Sequence, residues 1–187
     1  KAVGFDLIFS GADLTLESDE AFAAALQEMG NVVIASHRDL GGEVGPSDLI
    51  RQSVWRVGIV GKPRDRDRLL RRIYLWMSLD GETHRSWELE LFAKAFSEET
   101  VKTLPVDQEA VINYRLRFNE FRQISFWRLL EGSVLAEELK DKIVLIGLTA
   151  EAFHDIHATP LGSMPGLAVN ANALLMLMSR EFFSYLP

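Results

Sequence analysis

The chain has 187 residues, 48% of them apolar and 25% charged, the composition of one folded domain with a substantial core. A formal charge of −7 argues against a phosphate-backbone partner, and the lack of cysteine removes disulfide frameworks and thiolate zinc sites. No apolar run reaches the roughly 18 residues of a membrane span, and no signal peptide is readable.

Ala2 to Phe9 reads as a strand, apolar on both faces as in a sheet covered by helices. Ser18-Asp19-Glu20 supplies an N-cap and an acidic first turn, after which Phe22, Ala25, Leu26 and Met29 keep helical spacing and Gly30 suits the position past the helix end. Asn31 to Ser36 is a second strand, so residues 2–36 form one βαβ unit. Residues 37–53, with Gly41-Gly42 and Gly45-Pro46, read as a loop or excursion. Val54 to Val60 and Leu69 to Leu79 suggest two antiparallel strands joined by the Lys62-to-Arg68 turn. The interleaved Arg64-Asp65-Arg66-Asp67-Arg68 run within it is a solvated turn rather than a nucleic-acid patch.

Asp80-Gly81 signals a further turn, and a helical stripe of Trp87, Leu91, Phe92, Ala95 and Phe96 begins at Ser86. Strand is expected around Val111-Ile112, then a short helix capped by Ser125, stapled by Ile124 on Leu129 and ended by Gly132. Lys142 to Gly147 is an apolar strand. A polar loop follows with Thr149, His154, Asp155, His157 and Thr159, and then a helix from Leu167 to Met178 that is apolar on nearly every side. No repeat or linker divides residues 1–187. The fold class expected is a single α/β domain with a central mixed, partly parallel sheet flanked by helices, more antiparallel around residues 54–79. Trp55, Trp76, Trp87 and Trp127 read as core or interface anchors, and Met176 and Met178 as core.

Four groups of residues invite a chemical reading. His154, Asp155 and His157 have metal-ligand chemistry but neither helical HExxH spacing nor an evident fourth ligand. Gly147-Leu148-Thr149-Ala150 follows a strand as a phosphate loop would, yet lacks both glycine fingerprints. Asp6 is costly inside an apolar strand unless hydrogen-bonded, and no nucleophile elbow accompanies it. Asn170 and Asn172 interrupt the last helix and need partners, with the Phe153-to-Met164 loop as the candidate. No catalytic residue, metal site or cofactor is expected. The end of the Lys142-to-Gly147 strand is the place for a pocket, built from Asp6, Thr149, Asp155 and Thr159 with Asn170 nearby. The alternative is that Asp155 and Thr159 only brace the loop.

Three blocks resemble the second type of CHASE domain, the cyclase/histidine kinase associated sensory extracellular family. They are AVGFDLIFS at Ala2 to Ser10, VGIVGKPRDRDRLLRRIYLWMSLDGETHRSWELELF in the middle, and a late set. The late set comprises INYR, SFWRLLEG, KIVLIGLTA, ATP and MPGLAVNAN. Asp155, Thr159 and Pro160 match the family's Asp and Thr-Pro, whereas His154 and His157 lie outside its pattern, and Asn170 stands where a His is common. The usual N-terminal part of the family is expected to be missing here, as are its membrane helices.

The resemblance implies an extracytoplasmic sensor for a small-molecule or ionic stimulus, part of a homodimeric, membrane-anchored bacterial receptor. Its cyclase, histidine kinase or Ser/Thr kinase output would lie outside the chain. Arg180, Phe182, Phe183 and Tyr185 are residue types found near a membrane interface, although packing at a domain end explains them equally well. Two other classes stay open: an α/β hydrolase-like or metal-dependent enzyme using Asp6, Asp155, His154 and His157, and a structural dimerisation module.

Overall fold

The computed structural model of the chain describes residues 1–11, 16–39, 42–79, 81–106, 108–150, 152 and 155–183. Strand β1 (Ala2–Asp6) is followed by helix α1 (Leu16–Met29) and strand β2 (Val32–Asp39), and the two strands pair in parallel with Val3 opposite Val32. The expected βαβ unit is therefore present. Strand β1 stops at Asp6 rather than Phe9, and Phe9 packs instead against the rings of Phe5 and Phe22 at 5.8 and 5.1 Å. Helix α1 starts two residues before Ser18, so Ser18 is not its cap. Gly30 closes it as expected, with φ of +60° and its N–H donated to the Leu26 carbonyl.

The supposed loop of residues 37–53 is partly ordered into strand β3 (Gly42–Val44), antiparallel to the end of β2, and helix α2 (Asp48–Ser53). The largest correction concerns β4 (Arg56–Ile59). It is not half of an antiparallel pair but a parallel neighbour of β2, with Val33 opposite Arg56 and Ser36 opposite Ile59. Strand β5 (Arg72–Tyr74) and strand β6 (Trp76–Leu79) split the other expected strand between them. Period two cannot show where a strand finds its partner, and β6 pairs with β7 (Glu82–Arg85) around the predicted turn at Gly81.

Helix α3 (Trp87–Ala95) begins where Ser86 suggests, its hydroxyl accepting the Leu89 N–H at 3.2 Å. Helix α4 (Glu98–Lys102) and strand β8 (Glu109–Val111) follow, and β8 pairs antiparallel with β5. Helix α5 (Phe126–Leu130) and helix α6 (Ala136–Leu139) belong to an exposed stretch. Gly132 ends α5 at φ +68°, but Trp127 is 64% and Leu130 66% exposed, so Trp127 is no core anchor.

Strand β9 (Ile143–Gly147) lies on the other side of β1, with Ala2 opposite Ile143 and Asp6 opposite Gly147. It is a half-buried edge rather than the fully buried strand its composition suggests. Part of the expected polar loop is a hairpin of β10 (Ile156–Thr159) and β11 (Gly162–Pro165), which feeds helix α7 (Gly166–Ser179). The central sheet thus runs β4-β2-β1-β9, all parallel, with β3 added antiparallel at the end of β2.

Alternation along the strands sends Val32 and Ile34 to α1 and α2, where Ala23, Leu26 and Ile50 are buried. Ala2, Val33 and Ala35 go to the opposite face, under α3 and α7. Trp87 anchors this second face, fully buried, with its indole N–H on the Val33 carbonyl at 3.3 Å. Met176 is in this core, but Met178 is 44% exposed and is not.

Candidate functional site

The sheet winds outward from β1 through β2 to β4, whereas β9 returns on the far side of β1. The winding reverses between β1 and β9, and crevices form beyond the strand C-termini at such a reversal. Along β1 the side facing α3 and α7 carries Ala2, Gly4 and Asp6. Gly4 is small because α3 presses on it: an added Cβ would lie 2.5 Å from Trp87 Cζ2 and 2.7 Å from Leu91 Cδ1. At Asp6 the strand ends, and a cavity of about 240 Å³ opens. That is close to the roughly 300 Å³ at which small-molecule pockets begin.

Three segments bring charge to this cavity. Beyond β4, Lys62 turns inward until its side chain is 7% exposed, and its Nζ lies 2.8 Å from Oε1 of Glu88, 1% exposed, in the first turn of α3. Lys62 also donates to Oδ1 of Asn170 on α7, and Asn170 Nδ2 donates to Asp6 Oδ2 at 2.8 Å. One polar chain therefore runs Glu88–Lys62–Asn170–Asp6. Asn170 gives both Lys62 and Asp6 a hydrogen-bond partner, whereas Glu88 is held by the charge of Lys62 alone, its Oε1 accepting no hydrogen bond from any described residue.

The third segment is the start of the β10–β11 hairpin. His157 Nε2 lies 2.8 Å from Asp155 Oδ1, and Arg64 Nη2 lies 3.2 Å from His157 Nδ1. A neutral imidazole with its proton on Nε2 satisfies both contacts. Gly166, the first residue of α7, makes room for the carboxylate. A Cβ there would come within 2.8 Å of Asp155 Oδ1 and closer still to Oδ2.

Burial pushes the Asp6 carboxyl up to about 6, the Lys62 ammonium and the Asn170 hydrogen bond hold it down, and the charges of Glu88 and Asp155 raise it further. Asp6 thus changes charge close to neutral pH, inside a cavity.

Of the residues expected at this place, Asp6, Asp155 and Asn170 line the cavity, as does His157. Thr149 and Thr159 do not, which corrects the expectation for both. Thr149 lies in the turn after β9. Buried Thr159 donates to the Gly162 carbonyl at 2.6 Å and accepts the Leu161 N–H at 3.2 Å, so it braces the hairpin.

His154 lies outside the described residues, and among those described no three His, Cys, Asp or Glu side chains gather to hold a metal. The two nitrogens of His157 face Asp155 and Arg64, which leaves the ring no nucleophile to activate. Lys62, Arg64 and Glu88 were missed from the sequence. The available signal is a lysine three residues past the end of β4, a strand whose parallel pairing its own residues do not show.

The sequence matches the CHASE2 domain over residues 1–186. The chain belongs to the CHASE2 family. Its members are extracellular sensory domains, not catalytic ones, and the three sequence blocks that suggested the resemblance are part of a match across essentially the whole chain. No curated protein and no solved structure matches it. No helix among the described residues of this CHASE2 domain is long and apolar enough to cross a membrane.

Proposed function

We propose that this CHASE2 domain is the extracytoplasmic stimulus-binding part of a homodimeric bacterial transmembrane receptor, anchored through segments outside this chain. Its output is an adenylate or guanylate cyclase, a histidine kinase or a Ser/Thr kinase, also outside this chain. The stimulus is a small polar or ionic molecule that enters the cavity at Asp6, Asp155 and Asn170. The observation that carries this reading is Asp6 itself. A carboxylate held up to about 6 by burial is a burden on folding, and it stands where an open cavity meets the end of β1.

The test is a thermal-shift screen of metabolites and ions on the isolated domain, read with Asp6→Asn, Asp155→Ala and Thr159→Ala. A ligand at 100 times its Kd stabilises the native state by about 2.7 kcal/mol. In a domain of this size that raises Tm by about 5–11 °C. The shift should vanish in Asp155→Ala and persist in Thr159→Ala, whose hydroxyl points into the hairpin. A ligand that binds all three folded variants with unchanged affinity refutes the assignment of this cavity.

A further inference from the structure

A second cleft lies on the other side of the first turn of α3. Glu88 and Glu90 are two residues apart, hence about 200° around the helix, so Glu88 meets the Asp6 cavity and Glu90 points away from it. Glu90 lines an open cleft of about 610 Å³ between β4 and the β6–β7 hairpin. It is 7% exposed, and its Oε2 accepts no hydrogen bond from any described residue. The nearest cation, Arg85 Nη1, is 3.8 Å away and donates instead to both oxygens of Glu98 at 3.0 and 2.8 Å. Arg51 is committed to Glu43 at 3.0 Å. Arg56 lies over the Trp55 ring, 5.2 Å from its centroid.

A buried carboxylate with an unsatisfied oxygen is among the more costly arrangements a protein carries, and the apolar packing of α3 gives no reason for one here. Burial holds its pKa above the ordinary carboxylate range. The lining carries four carboxylates, of Glu43, Glu82, Glu90 and Glu98, against the three guanidiniums of Arg51, Arg56 and Arg85, an excess of one, with the imidazole of His84 4.0 Å from Glu82.

We propose that this cleft is a second ligand site, which takes a primary ammonium group with Glu90 as its counter-ion. An ammonium is compact, carries three donors and needs one carboxylate plus neutral acceptors, which the Thr83 hydroxyl in the same lining helps to supply. A divalent metal would need several oxygen ligands at once, and no such set gathers among the described residues. An anion would meet the excess of carboxylates. Free amino acids and aliphatic polyamines share this ammonium chemistry. A polyamine matches the acidic cleft alone, whereas an amino acid also places a carboxylate within reach of Arg56.

The experiment is calorimetric titration of the intact domain with 1,4-diaminobutane and with L-lysine, using tetramethylammonium at matched ionic strength as the control. Saturable binding of either amine is expected, weakened at least about tenfold by Glu90→Gln and unchanged by Asp6→Asn. Tetramethylammonium, which has no N–H donor, should not bind. Tighter diaminobutane assigns the site to polyamines, and tighter lysine, lost in Arg56→Gln, assigns it to amino acids. On the unsubstituted protein the Glu90 carboxyl carbon resonance should move on titration while that of Asp6 stays. This reading needs no variant to fold. The proposal is overturned if neither amine binds saturably, if Glu90→Gln binds as well as the unsubstituted domain, if tetramethylammonium binds equally, or if the Glu90 resonance stays still. Each of these overturning outcomes is read on a protein whose Asp6 cavity carries no substitution, so none of them bears on the stimulus site.

Discussion

Asp6→Asn should make the domain more stable at pH 7.5 and leave its stability almost unchanged at pH 4. The reason is the mismatch between the carboxyl's folded value, about 6, and its ordinary value of 3.8. The native state holds the proton more tightly than the unfolded chain, so stability falls as pH rises through 4 to 6 and then levels off. A rise of about two pH units at 1.36 kcal/mol each sets an upper bound of roughly 3 kcal/mol on the burden. Asp6 is only partly buried, and solvent screening reduces the expected gain to about 1–2 kcal/mol. Asparagine keeps an oxygen for the Asn170 amide and carries no charge to desolvate. Urea melts of both proteins at the two pH values give the double difference directly, and the thermal counterpart at neutral pH is about 2–8 °C in Tm. A variant less stable at pH 7.5, or equally stabilised at both pH values, refutes the argument that burial of this carboxylate opposes folding.

Lys62→Met strands Glu88 without its cation in the interior and should cost about 3–5 kcal/mol in urea unfolding. The double variant Lys62→Met with Glu88→Leu should recover most of that loss, since both desolvated charges are then gone. Gly166→Ala places a methyl against the Asp155 carboxylate and should cost about 1–3 kcal/mol. The same variant should abolish the thermal shift of any ligand that needs Asp155, whereas Gly11→Ala, whose Cβ meets nothing within 4 Å, should leave it in place.

Much of the frame was legible because it is written in local chemistry. The apolar runs of β1, β2 and β9, the glycine after α1 and the serine before α3 each announce a boundary through their own residues. Asp6 and Asn170 stood out because a polar side chain in an apolar segment demands a partner, and each proved to be the other's. Asn172 made the same demand, and most of its partners lie outside the expected loop. It bonds the backbone N–H groups of Arg115 and Leu116 at 2.9 and 3.1 Å, together with Met164 from the expected loop. What the sequence did not reveal is pairing at a distance. The order of residues does not say that β4 lies parallel to β2, so Lys62 looked like part of a hairpin turn rather than the lip of a cavity. The apolar stripe of α3 includes neither Glu88 nor Glu90, yet both are buried. They are buried because the N-terminal turn of α3 sits against β4, so closely that a Cβ on Gly58 would be 2.8 Å from the Trp87 nitrogen.

On the sensory reading, α7 is the element suited to carry a signal, and the reason lies in its polar anchors. Apolar faces tolerate small slides, because one close-packed arrangement resembles the next in energy. A buried amide does not, because moving it leaves groups unsatisfied at about 1–3 kcal/mol each. Helix α7 has such an anchor on two sides: Asn170 ties it to Asp6 and Lys62 at the cavity, and Asn172 ties it to residues 115 and 116. Just past its end, Arg115 pairs with Glu181 at 2.7 Å and Arg180 donates to Thr103 at 2.7 Å. A stimulus that changes the charge or partner of Asp6 acts first on the Asn170 bond. The helix can then respond only by keeping its present seat or by giving up a defined bond, which is how a packed element acquires two discrete positions. The differential free energy required, about 1–3 kcal/mol for a typical coupling, is on the scale of one such bond. On that reading, Asp6, Asn170 and the seat of α7 would act as one device, with its input at the cavity and its output at the end of α7.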